Sequence, residues 1–228
     1  MRCGLFGKLV AKRDYIALAT ARGFLEAWEP WMQSCLSASR HDLGERWQQA
    51  FLTAPVWRFW LGAGICGSTV LGAVMPSLDG IGRYYPLALH AIADADAPIA
   101  PPDVDTQDDW FGMAENFLLS TLAADVTFDE VSSQLDRLAV PRTRDRADSS
   151  TVRLGAGMTA IATDGVDFAT ALAALRVSDP EIYAAASFWW TAGGGSFRPL
   201  AVSCRGLPDP YRYSTLLTGD LGGIVPAR

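Results

Sequence analysis

The chain has 228 residues, half of them hydrophobic, and a formal net charge of −6 at pH 7. That composition supplies a core without disulfide or metal staples. The acidic balance argues against a nucleic-acid binder, which needs a basic footprint, and against docking on an anionic membrane.

The cysteines Cys3, Cys35, Cys66 and Cys204 lie far apart with no CxxC, and the only histidines are His41 and His90. No zinc spacing exists, and the expectation is buried free thiols in a reducing compartment. The start, MRCGLFGKLVAKRDY, lacks the apolar run and cleavage site of a signal peptide, and position 2 is Arg2 rather than a myristoylated glycine. Residues 59–78 form a stretch of twenty without charge, a length that suits a membrane helix. Its four glycines, β-branched residues and late Pro76 favour two buried strands.

In chain order, residues 3–9 read as a first strand. Phe24, Leu25, Trp28, Trp31, Met32, Cys35 and Leu36 recur three and four apart. That spacing predicts a helix over 20–40, with Thr20 as N-cap and a kink or break at Pro30. A short helix follows over 44–51. Residues 56–63, 69–75 and 84–92 read as strands. The first connection is Gly-rich and the second carries the Asp79-Gly80 turn signal, so the three form an antiparallel meander. Residues 94–109 hold six Asp, three Pro and no Lys or Arg, which is loop composition. Helices are expected over 110–124 and 128–138, the second opened by a capping box of Thr127 and Glu130. A polar loop covers 140–151, a strand 153–161 and a helix 166–176. Residues 185–191 and 200–204 make a closing hairpin through Gly193-Gly194-Gly195, and the tail after Pro208 is irregular. The sum is one α+β domain over 1–228, an antiparallel sheet flanked by helices.

The motifs divide by what chemistry needs. Gly62 to Gly67 spells GxGxxG, but a dinucleotide site needs a helix after it. Residues 68–75 have strand character, so a hairpin bend using positive φ is the better reading. The serine-hydrolase elbow GxSxG is absent, because the stretch at Ser196 ends on Arg198. The Asp-rich stretch Asp103 to Asp108 puts Asp108 where a calcium loop needs Gly, which favours a solvated acidic loop. Lys8, Lys12, Arg13 and Asp14 form a charged cluster that is either an ordinary turn or part of an interface. Arg142, Arg144 and Arg146 precede Ser149, Ser150 and Thr151, a mobile polar loop in which phosphorylation is conceivable. On a strand, Trp57 and Phe59 share one face and Trp60 the other, and Trp189 and Trp190 also split. Either helices cover both faces or one face is a docking surface.

Four blocks in order carry a family resemblance. They are GLFGKLVAKRDYI (4–16), FLEAWEPWM (24–32), TAPVWRFWLGAG with MPSLDGIGRYYPL (53–87), and SFWWTAGG with GLP (187–208). Together they resemble the TagF family, also called ImpM, of type VI secretion-associated proteins. Val10 stands where the family pattern has Pro, and Gly80 where a basic residue is frequent. The resemblance implies a profilin- or longin-like α+β fold. It also implies a cytoplasmic, non-enzymatic, post-translational negative regulator that binds the forkhead-associated scaffold protein of the secretion system or another component of it, with no cofactor. Some family members carry a fused phosphatase domain, and no such activity is carried over to this chain. Lys8, Lys12, Arg13, Asp14, Arg58, Asp79, Arg83 and Trp190 are the candidate partner-binding or motif residues. In the PSLDGIGR turn, Asp79 is expected to pair or cap, and Arg83 to reach the partner or brace the turn. The alternative is a nucleotide binder or enzyme using the Gly62–Gly67 bend.

Overall fold

The computed structural model describes residues 1–94, 97–123, 125–143, 151–155, 158–161, 167–178 and 183–221. The N-terminal strand β1 (Cys3–Gly7) is followed by the short β2 (Ile16–Leu18) and the long helix α1 (Arg22–Leu43). A 3₁₀ turn at Gly44–Arg46 leads into α2 (Trp47–Thr53). The central meander is β3 (Trp57–Leu61), a single-turn α3 (Ala63–Cys66), β4 (Val70–Met75) and β5 (Leu87–Ile92). Then come α4 (Asp108–Ser120), α5 (Phe128–Leu135), β6 (Thr151–Gly155), β7 (Met158–Ile161) and α6 (Phe168–Ser178). The chain closes with β8 (Ala186–Thr191), β9 (Leu200–Arg205), a 3₁₀ turn at Pro210–Arg212 and α7 (Tyr213–Thr218).

Seven strands form one antiparallel sheet in the order β2-β1-β5-β4-β3-β8-β9. Side chains alternate across it, and both faces are covered, so the middle strands are apolar throughout rather than alternating. On one face Trp57, Phe59, Val70, Val74, Ala88 and Trp189 pack under α1, α2 and α7. On the other, Trp60, Leu71, Ala73, Leu87 and Leu89 pack under α4 and α5. The tryptophans therefore belong to the core. Two backbone-facing indoles show how tightly the C-terminal segment is held: Trp57 Nε1 donates to the Leu216 carbonyl and Trp31 Nε1 to that of Pro208.

Several expectations need correction. The chain after Pro208 is not irregular over 210–218 but forms a 3₁₀ turn and α7, because Tyr213, Leu216 and Leu217 bury against the α1 layer. The strand expected over 153–161 is instead two, β6 ending at Gly155 and β7 starting at Met158, which pair antiparallel with each other and apart from the main sheet. Thr20 caps nothing: its hydroxyl donates to the Leu18 carbonyl and, at 3.4 Å, to that of Leu5, and Ala21 holds the cap position without a side-chain bond. Pro30 does not break α1. It lies on the exposed face, where water can satisfy the Glu26 carbonyl that loses its donor, and the buried stripe from Phe24 to Leu36 keeps the helix in register. The capping box of Thr127 and Glu130 forms as expected. All four cysteines are free, with Cys3 and Cys35 buried and Cys66 and Cys204 only partly so.

Candidate partner-binding site

Two connections project from one end of the sheet, residues 8–15 after β1 and residues 76–86 between β4 and β5. Register brings their roots together, with Gly7 opposite Leu87 on one side and Ile16 on the other. The approach is close. Gly7 has φ 136°, and a Cβ there would lie 2.0 Å from the Pro86 carbonyl oxygen, so only glycine fits. Hydrogen bonds then lace the loops: Ser77 Oγ donates to the Lys8 carbonyl at 2.8 Å and Gly80 N–H to that of Lys12 at 2.7 Å. Val10 and Gly80, the two departures from the family pattern, are neighbours. A Cβ at Gly80 would sit 2.9 Å from the Val10 carbonyl oxygen.

Asp79 is the hub. Its Oδ1 accepts from the backbone N–H of Ile81 (3.1 Å) and Arg83 (2.9 Å). Its Oδ2 accepts from Arg83 Nε (2.7 Å) and pairs with Lys8 Nζ (3.0 Å). The carboxylate is wholly inaccessible to solvent. Burial alone raises an acid. Here the Arg83 backbone, the Lys8 ammonium, the Arg83 guanidinium and the Ile81 backbone outweigh it and hold the carboxyl well below the usual carboxylate range. Lys8 is itself buried, and its ammonium also lies 5.0 Å from the centre of the Tyr15 ring.

Arg83 links this buried pair to the surface. Its side chain is 53% exposed, donates to the Arg13 carbonyl, and sits 3.5 Å from the exposed Asp14 carboxylate. Around it stand Lys12, Arg13, Tyr15 and Ile81, all exposed, with Lys12 Nζ 4.0 Å over the Phe128 ring. The result is a rigidly mounted guanidinium in a patch that mixes basic and apolar groups, on a chain that is acidic overall.

The structure thus brings together six of the eight candidates: Lys8, Lys12, Arg13, Asp14, Asp79 and Arg83. Lys8 and Asp79 are buried, and Asp79 bonds both Lys8 and Arg83. Arg58 and Trp190 lie elsewhere, paired across β3 and β8. Arg58 bonds Glu115 (2.6 Å) and Asp108 (3.2 Å), and both Arg58 and Trp190 pack on Phe111. They join the sheet to α4. Tyr15 and Ile81 are patch residues that sequence reasoning did not single out. The signal for Tyr15 was its place beside Asp14 in the first motif; Ile81 carried none beyond an apolar residue in a turn.

The other motifs resolve locally. In the glycine-rich segment, the single turn of α3 ends at Gly67 (φ 82°) and runs straight into β4, so no helix long enough to meet a pyrophosphate follows. Asp105 accepts from Gln107 and Arg142, which ties the acidic loop to residue 142. No cluster of metal-ligating side chains occurs among the described residues. Arg144, Arg146, Ser149 and Ser150 lie outside them.

These features define a class: a three-layer protein built on one antiparallel sheet, with its distinctive charges mounted in a surface turn. Residues 4–138 match the TagF N-terminal domain, described as type VI secretion system-associated, and the chain belongs to that family. Its structure is similar to the crystal structure of PA0076 from Pseudomonas aeruginosa PAO1, with a TM-score of 0.84 and 30% identity over 99% of this chain and 98% of that one. Among curated proteins none matches significantly. No helix among the described residues is long and apolar enough to cross a membrane.

Proposed function

We propose that this type VI secretion-associated protein is a non-enzymatic negative regulator, acting in the cytoplasm by binding the forkhead-associated scaffold of the secretion system. The observation that carries the reading is the mounting of Arg83. Two motifs about seventy residues apart in sequence converge to fix one half-exposed guanidinium. Pre-set arginines and tyrosines are frequent anchors of protein interfaces, because little side-chain entropy is lost on docking. Repression would follow occupancy: scaffold held by this protein is unavailable for assembly, in proportion to concentration over Kd.

The test is secretion. Overproducing the wild-type chain should suppress release of the system's substrates, and Arg83→Ala at equal abundance should not. Suppression that is unchanged in Arg83→Ala would remove the patch from the mechanism. Unchanged secretion with the wild type would remove the regulatory reading.

A further inference from the structure

The glycine-rich segment that fails as a dinucleotide fingerprint has another task in this fold. A Cβ at Gly62 would lie 1.9 Å from the Tyr183 carbonyl oxygen, and one at Gly64 2.8 Å from that of Ala184. The glycines let the 183–184 backbone press against the end of β3, and Tyr183 is thereby seated beside Trp60. Their rings meet edge to face, 6.1 Å between centres and 85° between planes. The two rings form part of the wall of a cavity of about 250 Å³ between the Gly67–Thr69 connection and the loop at Pro98–Pro101.

Three properties of this cavity select a ligand class. Its size is just under the roughly 300–1,000 Å³ of drug-sized sites, enough for a ring system with a small substituent and too small for a dinucleotide. Its walls are flat and apolar, with Trp60, Tyr183, Pro98 and Ile99, which suits the face of a planar ring. Among the described residues, its rim is polar and its charges are paired. Of the charged residues that line it, Asp94 is held by the Met1 ammonium at 2.9 Å and Arg176 by Asp103 at 3.1 Å, a carboxylate that also accepts from the Tyr183 hydroxyl (2.8 Å). The polar residues Ser68 and Thr69 also line it. Charges matched in this way, among the described residues, offer hydrogen bonds and no net attraction for an anion.

We infer that this cavity is a binding site for an uncharged planar heterocycle with a hydrogen-bonding edge, of the nucleobase or nucleoside class. It lies apart from the Arg83 patch and does not depend on the regulatory reading. Calorimetric titration of the full chain with adenosine, and separately with AMP, tests it. Saturable adenosine binding with a Kd below about 1 mM, and AMP no tighter, is the expected result. Ser68→Trp, which fills the mouth, should abolish the heat. Tyr183→Ala, should the first variant fail to fold, should weaken binding about tenfold through lost stacking. Absence of saturation at about 5 mM adenosine, or affinity untouched by the folded variants, would overturn the site. AMP binding at least tenfold tighter would overturn the neutral-ligand assignment. N-acetyl-tryptophanamide binding better than adenosine would overturn it too, in favour of a socket for a partner's aromatic side chain.

Discussion

Replacing Asp79 by Ala should be among the most damaging single changes outside the apolar core. The substitution removes the acceptor for four donors, two backbone N–H groups and two cationic side chains. It leaves Lys8 buried and unpaired, since its side chain is only 6% exposed. Stripping one partner from a buried ion pair costs about 3–5 kcal/mol. The Arg83 side of the network is half in water, which places the expected loss near the lower end, about 3 kcal/mol. For a chain of this size that lowers Tm by roughly 6–12 °C. Urea denaturation monitored by tryptophan fluorescence measures it directly. Because the cost is an orphaned charge, the double variant Lys8→Met, Asp79→Leu should be more stable than Asp79→Ala alone. A loss below about 1 kcal/mol in Asp79→Ala, or no recovery in the double variant, would refute the reasoning.

His90 provides a pH signature. It is fully buried, stacked on Phe24 at 4.3 Å, and burial pushes its pKa down from 6.5 to about 4. The unfolded chain therefore binds a proton that the folded chain refuses. Stability should fall by about 3 kcal/mol as pH drops from 6.5 to 4, and His90→Phe should flatten that slope. Asp79 acts in a different window: its lowered pKa adds stability above its ordinary value of 3.8, lost only as pH falls below that value. Scanning calorimetry between pH 4 and 7 in both proteins checks the His90 term. Gly7→Ala should cost more than about 2 kcal/mol, because it combines a strained φ with a 2.0 Å approach to the Pro86 carbonyl oxygen. Equilibrium unfolding of that variant, or its failure to accumulate in soluble form, is the measurement. Cys3 and Cys66, pushed up by burial to about 11 and 12, should resist alkylation by iodoacetamide at pH 8 in the native state and react fully in urea.

Much of this fold was readable from local pattern. The meander came from apolar runs separated by Gly-rich and Asp-Gly turns, and α5 from its capping box, because those signals act over a few residues. The helix at Tyr213–Thr218 was not readable. Tyr213, Leu216 and Leu217 form a short helix only because α1 offers them a surface. Pro30 misled for a related reason: the rule that it breaks helices ignores a buried stripe strong enough to carry the helix past one missing bond. For the site, the motif residues were visible one by one. Their grouping was not, since Lys8 and Asp79 are seventy-one positions apart and meet only through strand register. Arg58 and Trp190 sat in equally prominent motifs, yet they serve the sheet–α4 contact. A motif letter does not say whether a side chain is buried or exposed; the packing of the folded chain does.

The most direct test of the account is calorimetric titration of the purified chain with the forkhead-associated scaffold of the same secretion system, repeated with Arg83→Ala and Arg58→Ala. The account predicts micromolar or tighter binding by the wild type. It predicts about tenfold or greater loss for Arg83→Ala and little change for folded Arg58→Ala. Equal affinity in the wild type and Arg83→Ala, or no binding by the wild type together with failure to co-purify, would contradict it.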